Sequence, residues 1–141
     1  MPSFRLLAAA SLGAALLLAA SPVRAASPLA EAIAHGKDMF LHDTFGGNGH
    51  TCDTCHIGGG TVRGDVNGHR FPSLRNAAAI YPLYNPREGM VLTLEEQMNH
   101  CIKGALNGTP PAYGSADMAA LTAYVSSLAK GRPIHIGGQP K

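Results

Sequence analysis

The stretch "NGHTCDTCHIGGG", residues 48 to 60, decides how the rest of the chain reads. Cys52, Cys55 and His56 stand in it as CxxCH, the pattern of covalent haem attachment: two thiols add across the haem vinyl groups, and the adjacent imidazole is placed to ligate the iron. Two other chemistries use a CxxC pair. A thioredoxin-like redox pair wants a βαβ pattern around it, and half a zinc site wants a second Cys or His pair at a compatible spacing. The sequence offers neither context. The flanking glycines, "GGNG" at 46 to 49 and "GGG" at 58 to 60, follow a helical pattern and lack the Lys-Ser/Thr ending of a phosphate loop. They are expected to let backbone wrap closely round a haem. The predicted cofactor is one covalent haem c.

Cysteine chemistry depends on compartment, and the N-terminus addresses it. Residues 1 to 25 carry Arg5, an apolar run from Leu6 to Ala20 and a Val-x-Ala ending, the plan of a removable export signal. A run of about 15 apolar residues is short for a transmembrane helix, so a soluble, periplasmic mature protein is expected. Removal of Arg5 and Arg24 leaves nine Lys plus Arg against nine Asp plus Glu. Such a balance gives no electrostatic footprint for nucleic acid. The remaining residues, 26 to 141, suffice for one small domain with a core of marginal size. Three cysteines make an odd set for a disulfide staple, and two of them are only three apart. A prosthetic group is the better source of the missing core.

Outward from the motif the chain reads as helices joined by loops, an all-α domain. "SPLAEAIAHGKDMFLHDT" has Ser27 as a cap, Pro28 at the first helical position, and Leu29, Ile33 and Phe40 with Gly36 among them. Residues 61 to 92, rich in Gly, Pro and Asn, read as mostly irregular. "TLEE" is a capping box, Thr93 with Glu96, opening a helix to about Asn107. Ser115 opens another to about Lys130, and the tail "RPIHIGGQPK" reads as extended. A first helix bearing Gly36 and Phe40 and a last helix bearing Leu121 and Tyr124 suit the crossing of terminal helices in class I cytochromes c, which the chain resembles.

An iron held by His56 needs a sixth ligand. The loop before the last helix, "LNGTPPAYG", contains no Met, and Met118 shares a helical stripe with Leu121, Val125 and Leu128 that suits core packing. In "LTLEEQMNHCIKGALNG", Leu94, Met98, Cys101 and Ala105 fall within one arc at about 100° per residue, opposite Glu96, His100 and Lys103. Cys101 therefore points inward, and His100 reads as a solvated histidine near Glu96. Cys101 as thiolate is the favoured ligand, followed by Met98 one turn earlier and then Met90. Arg63, Arg70 and Arg75 follow the CxxCH motif and are candidates to pair with haem propionates.

From "FGGNGHTCDTCH" through "YPLYNPREGMVLTLEEQMNHCIKGALNGTPPAYGSADMAALTAYVSSLAKGRPI" the chain resembles the haem domains of the A subunit of the sulfur-oxidising (Sox) complex and of thiosulfate dehydrogenase. The resemblance places Cys101 on the family's ligand cysteine. It implies periplasmic oxidation of thiosulfate or another sulfane compound, with electrons passed through haem to a second cytochrome or a partner subunit. The family typically carries Arg one turn before that cysteine and another shortly after it. Here Gln97 and Lys103 stand nearby. An anionic sulfur substrate needs cations beside the iron. An electron carrier is therefore expected, with a thiosulfate-oxidising or thiosulfate-conjugating haem enzyme as the alternative.

Overall fold

Ser27 and Pro28 start the first helix as their chemistry dictates. The Ser27 hydroxyl accepts from the Ala30 amide at 3.2 Å, and Pro28 occupies the first turn, where a missing N–H costs nothing. In the computed structural model, which describes residues 26–141, this helix is α1, Pro28–His42. The export signal expected at 1–25 lies outside the described residues. Ser115 caps the last helix, α5, Ala116–Leu128, by accepting from the Met118 amide at 3.2 Å.

The two helices cross at Gly36. A Cβ there would run into the Ala120 carbonyl, so glycine is what lets the backbones touch. One turn on, Phe40 meets Tyr124 edge to face with centroids 5.3 Å apart. Phe40 and Leu121 are buried in the core, each contributing about 1.5–3 kcal/mol of hydrophobic stabilisation. Met118 is also fully buried and keeps the packing duty expected of it.

Between these helices lie α2, Cys52–Cys55; α3, Ala77–Ile80; and α4, Leu94–His100. The Thr93 capping box is present: its hydroxyl accepts from the Glu96 amide at 3.2 Å, and Glu96 accepts from the Thr93 amide at 2.7 Å. α4 runs on into a π-helical turn over Cys101–Ala105, closed by the Leu106 amide on the Cys101 carbonyl. Asn107, at φ 52°, ends it.

The expectation of helices alone needs correction. Two antiparallel hairpins occupy the stretch read as irregular: β1, Gly64–Val66, with β2, His69–Phe71, and β3, Leu83–Asn85, with β4, Met90–Leu92. Strands of three residues are too short to show alternation. The turn between β1 and β2 does carry a signal, since Asn67 and Gly68 both adopt positive φ, as a two-residue hairpin loop requires.

The tail reads as extended from its sequence. It has no regular secondary structure, yet it is tied down. The Lys141 carbonyl accepts from the amide and hydroxyl of Ser73 at 2.8 and 2.9 Å, Asn76 donates to the Gln139 carbonyl at 2.9 Å, and the His135 amide donates to the Ala79 carbonyl at 2.7 Å. Among the described residues no helix is long and apolar enough to cross a membrane.

Candidate haem-binding site

Cys52, Cys55, His56, Met98 and Cys101 all line one cavity of about 350 Å³, a volume in the range of small-molecule and cofactor sites. Its walls are apolar: Phe40, Leu74, Ile80, Leu94, Leu121 and Val125 contribute, and the tail adds Pro140. The arc deduced from helical spacing is real, since Leu94, Met98, Cys101 and Ala105 all face this cavity. The π-helical turn extends that face, adding Ile102 and Leu106. Met90 is about half exposed on β4 and does not line the cavity.

The motif is presented by the short α2. Asp53 accepts from the Gly59 amide at 2.6 Å, and the Gly60 amide donates to the His56 carbonyl at 2.7 Å, so the chain turns back on itself directly after the histidine. Tyr124 of α5 holds that turn, its hydroxyl donating to the Gly59 carbonyl at 2.8 Å. His56 Nδ1 lies 2.8 Å from the Pro72 carbonyl. A carbonyl only accepts, so Nδ1 carries the proton and Nε2 keeps a free lone pair, the arrangement of a metal-ligating imidazole. Phe71 packs edge-on against the ring at 5.9 Å.

Across the cavity, Gln97 Nε2 donates to Cys101 Sγ at 3.4 Å. The motif loop and the Cys101 segment are also tied to one another directly. Asn48 donates from its amide to the Leu106 carbonyl at 2.8 Å and from its side chain to the Ala105 carbonyl at 3.1 Å, pairing the carbonyls that the end of the turn leaves free. Gly47 makes this approach possible, because a Cβ there would strike the Leu106 carbonyl.

Electrostatics in this apolar space keep the thiols neutral. Burial pushes Cys52 up to about 12, with the neighbouring Cys101 adding to the rise. Burial and then Cys101 raise Cys55 as well. Burial raises Cys101 itself, and the Gln97 hydrogen bond opposes it. His56 is lowered by burial, against the pull of Pro72, which favours the neutral imidazole. Neutral thiols at Cys52 and Cys55 suit thioether formation, and a thiolate at Cys101 would need a metal cation to stabilise it in this space. Two thiols for attachment, an imidazole with a free lone pair, a facing sulfur and apolar walls together fit a covalently held haem.

His100 points away from the cavity, as expected, but faces Glu88, with Nδ1 to Oε1 at 2.9 Å. Glu96 is occupied by the Thr93 cap, whose hydrogen bonds lower its pKa. Lys103 is exposed. Arg63 and Arg70 line a neighbouring cleft that shares Phe71, Pro72 and Pro140 with the cavity, whereas Arg75 donates to the Thr61 carbonyl at 2.9 Å. Sequence reasoning missed Tyr81, which lines the cavity and whose phenol is pushed up to about 12, first by burial and then by Cys101. It also missed Asn48 and Pro72, whose partners lie far along the chain.

Residues 35–134 match the family model described as SoxA/TsdA, cytochrome c domain. The chain is 32% identical over 127 residues to a thiosulfate dehydrogenase of Allochromatium vinosum, covering 85% of this chain and 46% of that one. It is 30% identical over 91 residues to the L-cysteine S-thiosulfotransferase subunit SoxA of Rhodovulum sulfidophilum, covering 64% and 28%. Among solved structures, thiosulfate dehydrogenase (TsdBA) from Marichromatium purpuratum superposes with a TM-score of 0.65 at 25% identity, over 82% of this chain and 26% of that one. SoxXA from P. pantotrophus shares the fold, at TM-score 0.60 and 19% identity over 75% and 35%. The chain spans between 26% and 46% of the length of the thiosulfate dehydrogenases it matches. The match over residues 35–134 shows that the chain belongs to the SoxA/TsdA cytochrome c domain family, a c-type cytochrome domain that implies haem c.

Proposed function

We propose that this protein is an exported, periplasmic monohaem cytochrome that carries electrons during the oxidation of inorganic sulfur compounds. In this reading residues 1–25 are the signal peptide and 26–141 form one cytochrome c domain. Cys52 and Cys55 would hold the haem as thioethers, and His56 and Cys101 would ligate its iron, with Met98 the competing donor one turn earlier. When bound, the haem supplies a one-electron Fe(III)/Fe(II) couple. The protein's residues do the rest. His56 is held in its ligating tautomer by the Pro72 carbonyl, Cys101 receives a hydrogen bond from Gln97, and Leu74, Ile80 and Leu121 help to keep water from the cavity. Electrons pass to or from other periplasmic cytochromes or a sulfur-oxidising partner subunit.

The observation that carries the choice of carrier over enzyme is the lining of the cavity. No Lys or Arg is among its described lining residues. Thiosulfate is a dianion, and bringing it beside haem propionates without compensating cations costs several kcal/mol, on the order of the penalty for a buried, unpaired charge. The enzyme reading, oxidation or conjugation of thiosulfate at a Cys101-ligated haem, is supported by the relatives' names and by the place of Cys101 in the cavity.

Two measurements test the proposal together. Haem should remain on the chain in denaturing electrophoresis and after extraction with acidic organic solvent. The ferric protein should exchange electrons readily with periplasmic cytochromes and be reduced slowly or undetectably by thiosulfate. Rapid thiosulfate-driven reduction with turnover against an artificial acceptor would replace the carrier with the enzyme.

A further inference from the structure

Cys101 sits where the α-helix gives way to the π-helical turn, its amide shared between the Gln97 and Met98 carbonyls. Gln97 stands one helical turn before the sulfur. Its amide nitrogen lies 3.4 Å from Sγ, within hydrogen-bond reach of a large, polarisable acceptor. Gln97 itself lines the cavity, and its side chain makes no other hydrogen bond among the described residues. Helix α4 is held at its start by the Thr93 capping box, so this donor does not depend on a mobile loop.

Resting on the reading of Cys101 as axial ligand, we infer that Gln97 is a positioning residue for the redox centre: its side-chain amide donates to the Cys101 sulfur and thereby sets the strength of the iron–sulfur bond and the reduction potential. A thiolate carries more negative charge when the iron it binds is ferrous than when it is ferric. A donor aimed at the sulfur therefore stabilises the reduced state more and raises the potential. The hydrogen bond also occupies a sulfur lone pair, which lowers the nucleophilicity of Cys101 towards sulfane sulfur. A neutral donor performs this tuning without recruiting an anion to the cavity, which a cation at position 97 would do.

The test uses the haem-loaded protein. Resonance Raman spectra of the unmodified ferric form should show an iron–sulfur stretch that shifts when exchangeable protons are replaced by deuterium. Gln97→Leu, which keeps bulk and removes the donor, should abolish that isotope shift. At a fixed poise it should also lower the reduced-to-oxidised ratio about tenfold, which is about 59 mV for a one-electron couple. Gln97→Arg, which keeps a donor, should retain the isotope shift and should not lower the potential. An iron–sulfur stretch insensitive to deuterium, or a Gln97→Leu variant with unchanged potential and stretch, would overturn the role of Gln97 alone. Absence of any iron–sulfur stretch in the unmodified protein would overturn Cys101 ligation, and this inference with it.

Discussion

Replacing Tyr124 by Phe removes one oxygen from the place where the last helix grips the loop after the CxxCH motif. The ring stays, and with it the edge-on contact to Phe40 at 5.3 Å, so the packing term is conserved. What goes is the donor to the Gly59 carbonyl at 2.8 Å, in a region where Tyr124 is 5% exposed and Gly59 is buried. A buried carbonyl left without a partner costs about 1–3 kcal/mol. For a domain of this size each kcal/mol lowers Tm by about 4 °C, so a fall of about 4–12 °C is expected.

A pH dependence distinguishes this hydrogen bond from general loosening. Burial, and then the charge of Asp53, raise the phenol above its ordinary value of 10.0. The unfolded chain thus releases that proton first. The stabilisation is full below pH 10 and is lost as pH rises through the higher folded value. The gap between wild type and Tyr124→Phe should accordingly narrow in alkali. Urea titrations of the haem-loaded proteins by far-ultraviolet circular dichroism, at pH 7 and in steps above pH 10, measure it. A difference under about 0.5 kcal/mol at pH 7, the size of an ordinary surface substitution, refutes the assignment. So does a larger difference that is flat through the phenol titration.

Cys101→Met should keep a six-coordinate haem while raising the potential by more than about 59 mV, one tenfold step, because a neutral thioether stabilises ferric iron less than a thiolate does. Met98→Leu should leave the ligand spectrum unchanged, and electronic and paramagnetic spectra read both; the reverse pattern would transfer ligation to Met98. Thr93→Ala removes the side-chain cap of α4, seen as a 3.2 Å bond from the Glu96 amide, and should cost about 1 kcal/mol in thermal or urea unfolding. Thr93→Ser should restore most of it.

What the sequence disclosed and what it hid divide by the range of the interaction. The caps at Ser27, Thr93 and Ser115 and the inward face of Met98 and Cys101 all follow from residues within a turn of one another, and each was legible, whereas the crossing at Gly36 was legible only through the resemblance to class I cytochromes c. The hairpins escaped because three-residue strands have no periodicity to read, although Asn67-Gly68 marks one of their turns. The π-helical turn is one extra residue in a helical frame and leaves the hydrophobic stripe almost unchanged. Contacts such as His56 to Pro72 and Asn48 to Leu106 join residues brought together only by the fold, and nothing local announces them.

The docked tail separates two things that a redox site needs. Every sulfur and nitrogen donor facing the cavity lies between residues 52 and 101, but Pro140 contributes to the enclosure, and its neighbours are fastened to Ser73 and Asn76. The candidate ligands and part of the dielectric shell are therefore written in different segments of the chain. Changes at 139–141 can alter how much water reaches the centre, and so the free energy of charging it, while every donor atom stays in place.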